Sequence, residues 1–379
     1  MLTLNEISKK TGLKVDPYFS ATKIKWVLDN IDAAKSLSGS GRLAIGTIDS
    51  WLVWKLTGGK VHATDHTNAS RTMLYDISDL KWDKELLDIF GVDLDSLPVI
   101  KSSDSIFGMT SREELFGLEI PITGIIGDSQ AALFGQRCFS PGMVKATYGT
   151  GTSILLNTGK KMVKSEKGIV SAIAWVLNEE PEYAVEGIIH STGDTIKWLR
   201  DNLGIIKDYG QIDSMLEGLE DKEKVYLVPA FVGLGFPYWD MEARGMITGL
   251  SRSTDRRHIL KAALEAVGYQ VKDALEFIRS ETGINIKELR SDGGLTNNEF
   301  TMQFQADLLG LPVYRSDIKE LSLMGAVYIS GLSSGIWENK KAIEEIGARG
   351  RYFKPSSENL HIKEKYLGWK RSVKKVINQ

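Results

Sequence analysis

Cysteine is almost missing from this chain. Cys138 is the only one in 379 residues. No intramolecular disulfide can form, which fits a reducing compartment, so the cytoplasm is the expected location. Long apolar runs are missing too. The longest charge-free stretch, 225–239, is broken by Pro229, Gly233, Gly235 and Pro237. It is too short and too interrupted to span a membrane. The opening MLTLNEISKK has no signal-peptide layout. Excess charge of one sign is also absent: 47 Lys and Arg face 49 Asp and Glu, a formal net charge of -2. With no long basic run, nucleic acid is not an expected partner. The basic residues of 363–375 are interspersed with Tyr366, Leu367, Trp369 and Val373, as in a solvated amphipathic helix. Only 5 histidines occur. His62 and His66 flank Asp65, but no helical pattern puts them on one face. Polar turn chemistry from Asp65, Thr67, Asn68 and Ser70 outweighs metal ligation there, and no metal ligand is assigned.

What is present suffices for two large domains. The apolar fraction is 42%, enough to bury a sizeable core. Strand-like and helix-like segments alternate throughout, and no fixed-period repeat interrupts them. This predicts a two-lobed α/β protein with a cleft between the lobes.

The most informative stretch is 122–153. Residues 122–126 read as a short buried strand that Gly127 breaks, and 130–136 as the opening turns of a helix. Asp128 and Ser129 then sit where a strand's carboxyl end meets a helix, the place where open α/β sheets put ligand chemistry. A second strand, 144–148, runs into Gly149, Thr150, Gly151 and Thr152, whose small residues let backbone amides approach a ligand. A carboxylate beside a Gly/Thr loop suits phosphoryl transfer. The plainer alternatives stay open on these residues alone: Asp128 as a helix N-cap, and Thr-Gly-Thr as a hairpin turn.

Elsewhere, helices are predicted over 22–30, 45–56 (buried, ended by Gly58 and Gly59), 82–90, 257–280 and 323–332, and 33–41 reads as a loop. Asp16-Pro17-Tyr18 marks a turn. Strand 183–189 precedes a helix carrying Ile196, Leu199 and Leu203, with Gly193 leaving an amide-rich site open at its start. Strand 224–228 leads to a Gly/Pro-rich aromatic loop. Strand 288–291 leads through Asp292, Gly293 and Gly294 to a helix reaching Leu309. Asn298 there serves either a nucleotide or the helix cap.

These residues carry a family resemblance. Residues 18–27, YFSATKIKWV, fit the first signature of the FGGY carbohydrate kinases. GMITGL (245–250) followed by HILKAALE (258–265) fits the second. DPYFSATK, TDHTNASRTML, TYGTGTS and DGG with Asn298 are similar to the glycerol-phosphorylating branch rather than to xylulose or gluconate kinases. The resemblance runs from Thr11 to about Trp369. It implies an actin-like (ribonuclease-H-like) two-lobed ATPase fold, with residues 1–137 belonging to the N-terminal, substrate lobe and 138–379 forming the C-terminal, nucleotide lobe. It implies transfer of the ATP γ-phosphoryl group to glycerol with Mg²⁺, and lobe closure that excludes water. By position, Asp128 matches the catalytic base. Tyr18, Asp128 and Ser129 match substrate contacts. Thr150, Gly193, Lys197, Gly294 and Asn298 match nucleotide contacts. Glycerol and ATP or ADP are the implied partners, and a homo-oligomer stays open.

Three positions depart from the pattern. Ser129 and Lys197 each stand where a Gln is usual, and Phe236 where a small residue is common. The relatives' portion before the TGL segment has no counterpart in 1–10. That portion carries the first phosphate loop, an acidic residue associated with Mg²⁺, and an Arg-Glu pair and a Trp that hold glycerol. The expected first lobe is therefore incomplete, with sheet edge and apolar faces exposed. Two alternatives to an active kinase follow: a non-catalytic fragment or pseudokinase that binds nucleotide only, and a kinase for another small polyol.

Overall fold

Asp255 starts the longest helix, Arg256–Thr282. Its carboxylate accepts the amides of Arg257 and His258 in a capping box, and Gly283, at φ 69 in the left-handed region, ends it. Leu260, Leu264, Val267, Val271, Leu275 and Ile278 are all buried along it, as their spacing predicts. In the computed structural model, which describes residues 2–164, 168–220, 224–347, 349–356 and 361–377, this helix belongs to the second of two units. That unit comprises Gly142–Leu156, Gly187–Lys319 and Ala348–Gln379; the first comprises Met1–Pro141, Asn157–Glu186 and Glu320–Gly347. The fold is the expected actin-like α/β type, and no helix among the described residues is long and apolar enough to cross a membrane.

In the second unit the sheet order is Gly350–Phe353, Val313–Ser316, Glu288–Asp292, Met143–Tyr148, then the start of Thr152–Gly159 and the end of Glu180–Ile189. Glu288–Asp292 runs parallel to both its neighbours, with Asp292 opposite Thr147. The parallel strands Met143–Tyr148 and Glu288–Asp292 therefore finish side by side, and each runs into glycine. Met143–Tyr148 turns back antiparallel into Thr152–Gly159, pairing Tyr148 with Thr152. The hairpin alternative for Gly149–Thr150–Gly151 is thus correct. Helix Ile362–Ile377 is less solvated than its charges suggest. Trp369 and Val373 are buried, and the Trp369 ring stacks on Tyr269 at 5.3 Å.

In the first unit, helix Asp128–Gly135 packs on Leu321–Ser333, and Val170–Leu177 pairs antiparallel with Glu180–Ile189. Leu13, Met73, Leu74 and Leu86 form part of one core cluster. Three expectations are corrected here. Residues 33–41 are not all loop: Asp32–Leu37 is a short helix, since small and polar side chains do not forbid one. The strand expected over 122–126 shrinks to Pro121–Ile122, paired with Gly108–Met109; beyond it there is no ladder, and the Ile125 and Gly127 amides go instead to the Ser103 carbonyl and the Thr67 hydroxyl. Helix Ile48–Leu56 forms and glycines at positive φ follow it, but it is not buried. Only Ser50 and Val53 are inside, while Ile48 is 71% and Trp51 56% exposed.

Candidate active site

Tyr148 is a buried strand residue whose hydroxyl donates to Gln305 Oε1 at 3.2 Å. It delivers the chain to the hairpin tip at Gly149–Gly151. The tip is joined to the start of helix Gly193–Asp201 by backbone hydrogen bonds and by the Thr192 hydroxyl, 3.4 Å from Thr150 O and 3.0 Å from Thr152 Oγ1. Thr150 O accepts the amides of Thr192 at 3.0 Å and Asp194 at 3.1 Å, and Gly149 O accepts that of Gly193 at 3.1 Å. An added Cβ at Gly193 would lie 2.3 Å from Gly149 O, so only glycine lets the two segments meet. The expected open amide site at Gly193 is corrected by this: those amides are already taken.

The second parallel strand supplies the facing wall. Gly293, at φ 97, turns Glu288–Asp292 into the short turn Gly294–Asn297. Asn298 caps helix Glu299–Leu309: its Oδ1 accepts from the Thr301 amide at 2.9 Å and hydroxyl at 2.7 Å. Its Nδ2 donates to Asp213 Oδ1 at 2.9 Å. Capping and site membership coexist in this one residue.

Between these walls lies a pocket of about 790 Å³. Thr150, Gly193, Lys197, Gly294 and Asn298, the five nucleotide positions read from sequence, all line it. Ile196, Ile212, Leu295 and Tyr209 add apolar surface, while Asp194 and Asp213 add carboxylates. The volume and the mix of flat apolar wall and few polar groups suit a nucleotide-sized ligand. Asp194 was adjacent to a named glycine and could have been found from that. Tyr209, Ile212 and Asp213 carry no sequence signal, since they come from a short segment brought in by folding. Burial raises the Asp194 carboxyl above the usual range, offset in part by the Ser191 hydroxyl at 3.0 Å. Its other oxygen, Oδ1, is buried and meets no hydrogen-bond partner.

The substrate positions lie in the first unit. Asp128 is the first residue of helix Asp128–Gly135, not its cap. The cap position is Gly127, and no side chain caps the helix. Asp128 is exposed, with Oδ1 accepting the adjacent Ser129 amide at 2.6 Å. Its carbonyl accepts the Ser322 hydroxyl at 3.0 Å. A carboxylate at a helix N-terminus, free on its outer face, is placed to accept a proton from a bound hydroxyl. Ser129 follows it, half-buried. Tyr18 stands apart on its Asp-Pro turn, 68% exposed, with its amide on Asp16 Oδ1 at 2.8 Å and its carbonyl on Lys23 Nζ at 2.8 Å. In the segment expected to serve turn chemistry, Asp65 caps the short helix His66–Ala69, and His66 Nδ1 is 2.6 Å from the Tyr75 hydroxyl.

The family models for FGGY carbohydrate kinases match both parts of the chain: the N-terminal domain over residues 2–135 and the C-terminal domain over 144–334. The glycerol kinase of Caldanaerobacter subterraneus subsp. tengcongensis is 50% identical over 372 residues, 98% of this chain and 75% of that one. That of Pseudothermotoga lettingae is also 50% identical, over 98% of this chain and 74% of that one. The crystal structure of Plasmodium falciparum glycerol kinase with ADP superposes with a TM-score of 0.95 at 38% identity, covering 100% of this chain and 76% of that one. A xylulose kinase from Lactobacillus acidophilus, at 18% identity and TM-score 0.86 over 98% of this chain and 75% of that one, shares the fold. On both domain matches and on identity across nearly its whole length, the chain belongs to the FGGY family of carbohydrate kinases.

Proposed function

We propose that this protein is an ATP-dependent glycerol kinase: ATP + glycerol → sn-glycerol 3-phosphate + ADP. The observation that carries the reading is the convergence of the five positions implied by the family resemblance on one nucleotide-sized pocket, in a chain half identical to glycerol kinases. Residues up to 137 handle the polyol and 138–379 the nucleotide. The nucleotide lies against Thr150, Gly294 and Asn298, with Ile196, Ile212 and Leu295 beside it. Asp128 takes the proton of the attacking glycerol hydroxyl as its oxygen bonds to the γ-phosphorus. The bond from that phosphorus to the β–γ bridging oxygen breaks, and the electron pair leaves with ADP. A loose transition state asks chiefly for positioning, which is what Asp128's anchored helix end offers. Tyr18 and Ser129 contact the polyol, and Lys197 faces the phosphates.

Among the described residues no group of three or more His, Cys, Asp or Glu could hold a metal ion. Mg²⁺ needs only one or two carboxylates when phosphates and water complete its shell. Asp194 fits that need, because a carboxylate in a phosphate pocket with an unpartnered Oδ1 is repelled by nucleotide unless a cation intervenes. Mg²⁺ bound there would neutralise phosphate oxygens.

The test is coupled ADP release with glycerol, dihydroxyacetone and erythritol as acceptors. Glycerol is expected to be clearly preferred, and Asp128→Asn to lower kcat by about 10²-fold or more. No glycerol-dependent turnover above the Asp128→Asn background refutes the reading. One observation favours a second reading, nucleotide binding without turnover: the nucleotide positions converge while Tyr18 stands 68% exposed on its own turn. ADP binding by calorimetry with no turnover on any acceptor would support it.

A further inference from the structure

Residues 123–127, which lead into Asp128, belong to no strand. A backbone without a ladder must be held by other partners or left to move. Two of its amides are held. Gly127 N–H donates to Thr67 Oγ1 at 2.7 Å. Ile125 N–H donates to Ser103 O at 3.0 Å. Both Thr67 and Ser103 are in turn bonded to one buried carboxylate. Thr67 Oγ1 lies 2.8 Å from both Asp65 oxygens, and Ser103 Oγ lies 2.8 Å from Asp65 Oδ2.

The polarity of these bonds is dictated by proton count. A hydroxyl has one proton to give. An amide can only donate, so Thr67 Oγ1 must accept from Gly127 and send its own proton to Asp65. Ser103 repeats the arrangement: its Oγ accepts the Val176 amide at 3.4 Å and donates to Asp65. An acceptor-only group at position 65 is therefore what turns the Thr67 oxygen toward Gly127. Capping the one-turn helix His66–Ala69 does not require this. The Thr67 and Asn68 amides, at 3.1 and 3.0 Å, already do that, and an exposed Asp would serve. Asp65 is instead 0% exposed and carries the two extra hydroxyl bonds.

We propose that Asp65 is a positioning residue for Asp128, acting through Thr67 on the Gly127 amide and through Ser103 on Ile125 to set the backbone from which the Asp128 carboxylate projects. The inference rests on the reading that Asp128 accepts the proton of the attacking hydroxyl. The chain reaches Asp128 one residue beyond Gly127, so a shift of the Gly127 amide moves the carboxylate directly. Errors of about 1 Å in a reacting group can cost about 10²-fold in rate.

The experiment uses the full chain and the variants Thr67→Val, Thr67→Ser, Asp65→Asn and Asp128→Asn. Thr67→Val keeps the shape and removes the hydroxyl. It is expected to lower kcat about tenfold or more with KM for ATP within about twofold, and Thr67→Ser to return kcat to within about threefold of the parent. Amide exchange gives a readout independent of turnover. Gly127 is expected to exchange about tenfold faster or more in Thr67→Val and near the parent rate in Thr67→Ser. Parent-like kcat in Thr67→Val, failure of Thr67→Ser to rescue, or unchanged Gly127 exchange each overturns the proposal. If Thr67→Val does not fold, Asp65→Asn decides: faster Gly127 exchange supports the tether and parent-like exchange overturns it. If Asp128→Asn turns over normally, the catalytic reading fails while the exchange data still judge the tether. If Asp128→Asn is inactive and Thr67→Val is normal, only the positioning proposal fails.

Discussion

Gly325 sits directly against the carbonyl of Ala131: a Cβ built on Gly325 would lie 1.9 Å from that oxygen. This contact brings Leu321–Ser333 to near backbone distance from Asp128–Gly135 and so sets how the Asp128 helix lies in its unit. The obstacle is main chain and cannot rotate away. Gly325→Ala is expected to destabilise the first unit by about 2–3 kcal/mol, by overpacking. Urea unfolding followed by tryptophan fluorescence measures it, and a change within about 0.5 kcal/mol would contradict the close packing.

Gly193 poses the same problem in the nucleotide pocket, with Gly149 O 2.3 Å from its would-be Cβ. Gly193→Ala must push the hairpin tip from the helix start and spoil the Thr150 loop. The Kd for ADP is expected to rise about tenfold or more, a loss of about 1.4 kcal/mol or more. Calorimetric titration with ADP checks it.

Asp273 ties the C-terminal helix to Arg256–Thr282. It is fully buried and accepts from the Tyr238 and Tyr366 hydroxyls and Trp369 Nε1, each at 2.6 Å, and from Lys370 Nζ at 3.1 Å. Asp273→Asn is expected to cost about 1–3 kcal/mol, since it leaves buried donors short of an acceptor, whereas Tyr366→Phe costs about 1 kcal/mol. Burial first, then Asp273, raises the pKa of both tyrosines. The folded state thus holds their protons more tightly than the unfolded chain. Stability is unaffected by them below about pH 10 and falls as pH rises above it. Alkaline unfolding of the parent beside Tyr366→Phe tests the sign.

Burial pushes the Asp65 carboxyl up to about 6. Its unfolded value lies lower, so the contribution is largest below about pH 4 and is lost as pH rises through about 6. Asp65→Asn lacks this titration. The difference in unfolding free energy between parent and variant is expected to move against the parent from about pH 4 to about pH 6 and then level off. A flat difference would show that Asp65 is ionised throughout.

Helix Ile48–Leu56 presents Ile48, Trp51 and Leu52 to solvent, each more than half exposed. Trp51→Gln with Leu52→Gln is expected to change stability by no more than about 0.5 kcal/mol while reducing concentration-dependent association. Unfolding and light scattering together check this.

Much of the fold was legible because it depends on local rules. Helix Arg256–Thr282 could be read, as 257–280, from apolar residues recurring at three- or four-residue spacing; its Asp255 cap and Gly283 stop came only with the structure. The hairpin at Thr150 could be read from strand signals around small residues. Helix Ile48–Leu56 was read correctly as a helix and wrongly as buried, because propensity reports backbone state and not what covers a face. Residues 122–126 were read as a strand because β-branched composition looks the same whether or not a ladder partner is available. The nucleotide positions at 150, 193, 197, 294 and 298 came from family motifs; no periodicity joins residues so far apart.

The sequence by itself determined the alternating α/β elements, the absence of disulfides, and the two carbohydrate-kinase signatures, since each is written in neighbouring residues or in spacing along the chain. Tertiary structure alone decided which polar groups meet. It brought Tyr209 and Asp213 into the pocket wall and consumed the amides at Gly193 in holding the Thr150 loop. It also placed Asp65 behind Gly127, because a buried carboxylate takes hydrogen bonds from whatever donors packing brings within about 3 Å, regardless of their distance in sequence.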